Sequence, residues 1–194
     1  MSQIEQSAVR NRLLAALPAS DFAALAPVLR PVELDLKQVL IEPGQPIRAV
    51  HFLEAGMVSL LAPLEDGHVQ EVGIIGREGL VGLPVVLGAD RTSTEALVQM
   101  QGAALRIGAA ELRAAFERSA ALRSLLLRYV QAFHAQVAQT AACNGQHAVA
   151  ERFARWLLMA HDRAGGDEFP MTHEFAAMML SVRRAGVSVA AGAL

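Results

Sequence analysis

The chain has 194 residues, 53% of them apolar and 19% charged, a composition that builds a buried core and excludes general disorder. Its 17 lysines and arginines stand against 19 carboxylates for a formal charge of -2, so there is no global basic field for nucleic acid or an anionic bilayer, and any DNA contact must be local. The single cysteine, Cys143, excludes an internal disulfide, a four-thiolate iron–sulfur cluster and a zinc site built from several cysteines, and fits a reducing cytoplasm.

The longest mostly apolar runs, such as Leu80 to Ala89, are shorter than the roughly 20 residues of a membrane span. No membrane partner is expected, and polar Ser2, Gln3, Glu5 and Gln6 predict no secretory signal. Helical periodicity predicts two short helices at the start, Ile4 to Leu17 and Asp21 to Leu29, separated at Pro18, stopped near Pro31, the second capped by Ser20. From Val32 to Ile107 short runs of Val, Ile and Leu alternate with turn residues, the pattern of a β-roll or barrel. The predicted strands are Gln38 to Ile41, Ala49 to Glu54, Met57 to Pro63, Val69 to Ile75, Thr94 to Gln101 and Ala103 to Ile107, with Asp66-Gly67 as a hairpin turn. Glu78 to Gly88 interrupts them with a short helix beside a tight loop.

Beyond Ile107 the pattern is helical: Ala109 to Arg118, then a long helix from Ala120 to about Cys143. Along it Leu122, Leu126, Tyr129, Phe133 and Thr140 alternate by three and four with Gln136 as the exception, and Val130 and Val137 widen the stripe. Either the chain's own β domain or a second copy covers that face. A homodimer seam is favoured because about 24 residues span roughly 36 Å. Asn144-Gly145 breaks this helix, Ala148 to Ala164 forms the next, and Gly165-Gly166 ends it. Thr172 then caps a short helix with Glu174 in its first turn and Phe175, Ala176, Met179 and Leu180 as its apolar stripe. Ser181-Val182 is the turn, and Arg183 to Ala193 the final helix.

Two short helices on a tight turn have the rhythm of a helix-turn-helix, with Arg183 and Arg184 where a second helix enters the major groove. An ordinary αα-hairpin has the same rhythm, and the residues alone leave both open. His173-Glu174 lacks the second histidine of a metalloprotease helix, since Ala177 stands there. Cys143 and His147 are too few to hold a metal, so no metal site is expected. Haem ligation by His51, His68, His134 or His161 stays open. No nucleophile elbow or Walker sequence is present, and no reading as an enzyme has support.

Glu42-Pro43-Gly44, the Val50 to Gly56 segment, the Gly79 to Arg91 segment and the run from Val149 to Val187 together resemble the CRP-FNR superfamily of transcription regulators. The resemblance covers nearly the whole chain. It implies an α+β architecture: a cyclic-nucleotide-binding-type β-roll over 1–119, a dimerisation helix over 120–145, and an incomplete winged helix-turn-helix over 146–194. Dimer residues would be Leu122, Leu126, Tyr129, Val130, Phe133, Val137 and Thr140. Gly82 matches the phosphate-cassette glycine, and Arg91, Thr92 and Ser93 match the phosphate arginine with its hydroxyl neighbours. Leu83 replaces the ribose-binding acid, Pro84 removes an N–H donor, and the base-contacting pair falls on Val137 and Ala138. Cyclic nucleotide is the cofactor the family implies, but the standard cyclic-AMP contacts are missing. Thr172, Arg183, Arg184 and Ser188 form the implied DNA-binding set, with Ala185 and Val189 replacing two further base-reading residues. RNA polymerase is a further implied partner.

Residues 146–194 hold five arginines and five carboxylates, and the end at Leu194 comes before a wing. Both features predict weak DNA binding by this chain. The expected function is a cytoplasmic, homodimeric regulator with a divergent effector pocket. The alternative is a dimeric ligand-sensing or interaction protein that has lost DNA binding.

Overall fold

The computed structural model describes residues 4–65, 67–169 and 171–193. Six strands, β1 (Arg30–Leu34), β2 (Val39–Ile41), β3 (Ala49–Pro63), β4 (Val69–Ile75), β5 (Leu80–Val81) and β6 (Glu95–Gly108), form one antiparallel sheet. Its main path is β1-β6-β3-β4, with β2 on β6 and β5 on β3. The helices are α1 (Arg12–Ala15), α2 (Ala19–Leu25), α3 (Leu83–Val86), α4 (Ala109–Arg118), α5 (Ala120–Gln146), α6 (Val149–Ala164), α7 (His173–Leu180) and α8 (Arg184–Ala191).

The strand pairs expected on either side of Gly56 and Gly102 are each one long strand. The β3–β6 register slips between Leu53 and Val58, and the two glycines meet there. A Cβ on Gly56 would lie 2.5 Å from the Met100 carbonyl oxygen, and one on Gly102 would lie 2.2 Å from that of Ala55. The glycines mark a bulge that coils the ribbon, where the sequence suggested a break. Strand β1 was not expected because Pro31 read as a stop. Among the described strands β1 pairs only with β6, and an edge tolerates a residue without an N–H. Of the expected Asp66-Gly67 turn, Asp66 lies outside the described residues. Leu64 N–H donates to the His68 carbonyl at 2.8 Å across it.

The first helix is broken. Asn11, fully buried, caps α1 by accepting from Leu13 N–H and Leu14 N–H at 3.1 and 3.2 Å. Its amide donates to the carbonyls of Leu53 and Gly79 at 2.9 and 2.8 Å, tying the N-terminal turn to the roll. Ser20 lies within the first turn of α2, whose N-cap position is Pro18. The largest correction is α5, which runs through Asn144-Gly145 to Gln146. Asn144 Oδ1 there accepts from Arg152 Nε at 3.0 Å, and turn propensity yields to tertiary bonding.

Replacing Asn11 by alanine strands two buried carbonyls and two helix-start N–H groups. Asn11→Ala should cost about 3 kcal/mol in urea unfolding, with an unchanged m-value.

Candidate effector pocket and DNA-binding helices

Strand β5 delivers the chain into the loop expected to hold a phosphate. Gly82 sits at φ +111°, and a Cβ there would meet Val50 Cγ2 at 2.8 Å, so backbone conformation and core packing both demand glycine. Leu83 begins α3 and is buried, Pro84 contributes no N–H, and Val85 N–H donates to the Gly82 carbonyl at 3.0 Å. Arg91 points elsewhere. Its guanidinium donates to the Gly44 carbonyl at 2.9 Å and lies 4.0 Å from Asp90, with the side chain 58% exposed.

A cavity of about 260 Å³ lies between α3, the roll and α5. It brings together Gly82, Leu83, Thr92 and Val137 from the expected set, while Arg91, Ser93 and Ala138 are outside its lining. Sequence reasoning did not place Leu60, Ile75, Thr94, Phe133 or His134 in this pocket, and all five line it. Only alternation along β3 and β4 and the α5 stripe hinted at them. His51 is buried under the roll, and burial, with Arg106 nearby, pushes it down to about 4, which keeps the imidazole neutral. Among the described residues no three His, Cys, Asp or Glu side chains cluster as metal ligands, and no helix is long and apolar enough to cross a membrane.

The apolar stripe of α5 faces inward. Leu122, Leu126 and Tyr129 are buried in the chain's own core, with Val130 and Phe133 packed against it. The expected place of Leu122, Leu126 and Tyr129 in a dimer seam is corrected, because side chains already removed from water have little area left to bury on a partner. Val137 lines the cavity, and Thr140 donates to the Gln136 carbonyl at 3.0 Å and accepts from Arg155 at 3.2 Å. Gln136, the polar exception, accepts from Ile74 N–H at 2.8 Å and so satisfies the edge of β4.

Helices α6, α7 and α8 form a second core on the outer face of β3 and β4: Met57, Leu61 and Ile74 pack with Phe153, Trp156, Met179 and Leu180. Within it lies Glu71. Its carboxylate accepts from Trp156 Nε1–H at 2.8 Å, from Gln99 Nε2–H at 3.1 Å and from the Ser59 hydroxyl. Burial outweighs these bonds and the Arg163 charge, and pushes it up to about 7. Arg163 itself pairs with Glu78 at 2.6 Å.

Thr172 caps α7 by accepting from Phe175 N–H at 3.2 Å. Ser181 adopts φ +51° at the turn, and Val187 and Ala190 bury the inner side of α8. Arg183, Arg184 and Ser188 are exposed on the other side. Arg183 occupies the N-cap position ahead of α8, and α8 itself ends at Ala191, two residues short of the expected Ala193. Arg184 pairs with Glu174 at 2.7 Å, and the Ser188 hydroxyl lies 3.1 Å from His173 Nδ1. Leu194 and Pro170 lie outside the described residues.

Residues 31–119 match the family described as the cyclic nucleotide-binding domain. Several solved structures share the fold. The regulator CLP of Xanthomonas campestris, described as responsive to c-di-GMP, is 14% identical with a TM-score of 0.73, over 91% of each chain. FixK2 of Bradyrhizobium japonicum is 17% identical, TM-score 0.75, over 86% of this chain and 84% of its own. A regulator of the crp/fnr family from Eubacterium rectale is 13% identical, TM-score 0.75, over 92% and 84%. No curated protein sequence matches the chain.

The Glu71 environment predicts a pH dependence. The folded chain holds this proton up to about pH 7, while an unfolded glutamate releases it near 4.3. The resulting stability is complete below that unfolded value and is lost as pH rises through 7, roughly 3 kcal/mol in all. Glu71→Gln is neutral throughout, and Gln99 Oε1, buried without a partner, can turn to accept from the new amide. The variant should match wild type in urea unfolding near pH 4.5 and exceed it by roughly 3 kcal/mol above pH 7.

Proposed function

We propose that this chain, which carries a cyclic nucleotide-binding domain and the fold of the CRP/FNR regulators, is a homodimeric transcription regulator that binds DNA through α7 and α8. Its β-roll serves as an effector domain that does not use the cyclic-AMP contacts. The observation that carries this reading is the α7–α8 pair, capped by Thr172 and turned at Ser181, with Arg183 and Arg184 exposed at the start of the second helix and Ser188 exposed one turn on. Arginine at the entry to a recognition helix can reach guanine edges or phosphates. The Arg184–Glu174 pair favours a second reading, a dimeric sensor without DNA binding, because it neutralises one of the two contacts.

The seam between protomers falls on an exposed flank of α5 beside its buried stripe. Leu127, Gln131, Ala138 and Ala141 are exposed there, spaced by four, seven and three, and small residues let two helices approach closely. RNA polymerase would meet the dimer on another surface.

Two measurements test this. Selection from a random duplex library should enrich a two-fold symmetric site, and the Arg183→Ala, Arg184→Ala double variant should bind it at least about tenfold more weakly with a shallower salt slope. No enrichment would favour the second reading. In light scattering Leu127→Asp should give a folded monomer, whereas Phe133→Asp should destabilise the protomer itself by about 3 kcal/mol.

A further inference from the structure

We infer that the cavity between α3 and α5 takes a small, mostly apolar organic molecule, of one or two rings with a single hydrogen-bonding group, in place of a nucleotide. This names the effector class and rests on reading the β-roll as an effector domain. The walls are Leu60, Ile75, Leu83, Phe133 and Val137, and no Arg, Lys, Asp or Glu lines the cavity. A cyclic nucleotide would bring a phosphate anion into these walls, and an unpaired charge there is costly to desolvate. The cation that could offset it, Arg91, is held outside by the Gly44 carbonyl and Asp90. The start of α3 offers little in its place, since Pro84 has no N–H and that of Val85 is bonded to the Gly82 carbonyl.

What the cavity does offer is apolar area and one polar corner. The Thr92 and Thr94 hydroxyls lie 2.9 Å apart and share a hydrogen bond whose direction can reverse. They can donate to or accept from a single phenol, ketone or amide group. His134 is exposed at the rim, and Leu87, 61% exposed, stands at the mouth. A volume of about 260 Å³ is just under the roughly 300–1,000 Å³ of drug-sized sites, which fits one or two rings. Three of the wall residues, Val130, Phe133 and Val137, belong to α5. A bound ligand would therefore pack the roll against the helix that leads into the C-terminal unit.

The test titrates the full chain with N-phenyl-1-naphthylamine, whose fluorescence rises in apolar surroundings, and then displaces it with 4-ethylphenol, cyclic AMP or cyclic di-GMP. Saturable one-to-one binding in the micromolar range is expected, displaced by 4-ethylphenol and unaffected by either nucleotide at millimolar concentration. Val137→Trp, which fills the cavity, and Leu87→Arg, an exposed change that leaves the core intact, should each weaken the probe at least about tenfold. Leu158→Ala, at an exposed leucine of α6, should leave it unchanged. Thr92→Val with Thr94→Val should weaken 4-ethylphenol more than the probe. Non-saturable binding, binding indifferent to Leu87→Arg, or displacement by micromolar nucleotide overturns the inference. Absence of a DNA site with this binding intact would overturn the regulator reading alone.

Discussion

A strand with both faces buried needs a core on each side, and β3 has two. Val50, Phe52 and Val58 turn into the roll, while Met57, Ser59 and Leu61 turn outward and are covered by the C-terminal helices. Two-sided burial removes the usual freedom of a solvent-facing sheet surface. It also carries Glu71 out of water, into the one place where a carboxylate must be protonated or fully bonded. Trp156, Gln99 and Ser59 supply those bonds from α6, β6 and β3. The orientation of the C-terminal helices against the roll is therefore set by apolar burial and by the bond from Trp156 of α6 to this one buried acid.

Helix α5 divides its circumference among three tasks. One side completes the roll with Leu122, Leu126 and Tyr129, a second closes the cavity with Val130 and Val137, and a third, with Leu127, Gln131, Ala138 and Ala141, is exposed. Gln136 fixes the rotation by satisfying an edge N–H of β4. Because the cavity wall and the exposed side belong to one rigid helix, a change in packing on one is felt by the other.

The cassette shows how the same glycine can serve different ends. In a phosphate-binding loop, glycine admits an anion to the backbone. Here Gly82 satisfies a positive φ and the proximity of Val50, and the arginine that should face it has turned to a carbonyl. Leu83 and Pro84 beside Gly82 line a chamber that no Arg, Lys, Asp or Glu lines.

Local chemistry determined much of this protein in advance. Turn residues at regular spacing gave the β-roll, periodicity gave α4, α5 and α6, and the cap at Thr172 and the turn at Ser181 gave the α7–α8 pair. Those features depend on contacts within a few residues, which a sequence displays directly. The tertiary structure alone decided that Gly56 and Gly102 coil strands instead of ending them, since each glycine answers to the backbone of the other strand, at Met100 and at Ala55. It also carried α5 through Asn144-Gly145 and turned the stripe of α5 inward, because periodicity reveals an apolar face without saying what covers it. The same holds for Glu71. In the sequence it is one charged residue of an alternating strand, and only the helix laid across it, with Trp156 85 residues later, makes it a buried acid.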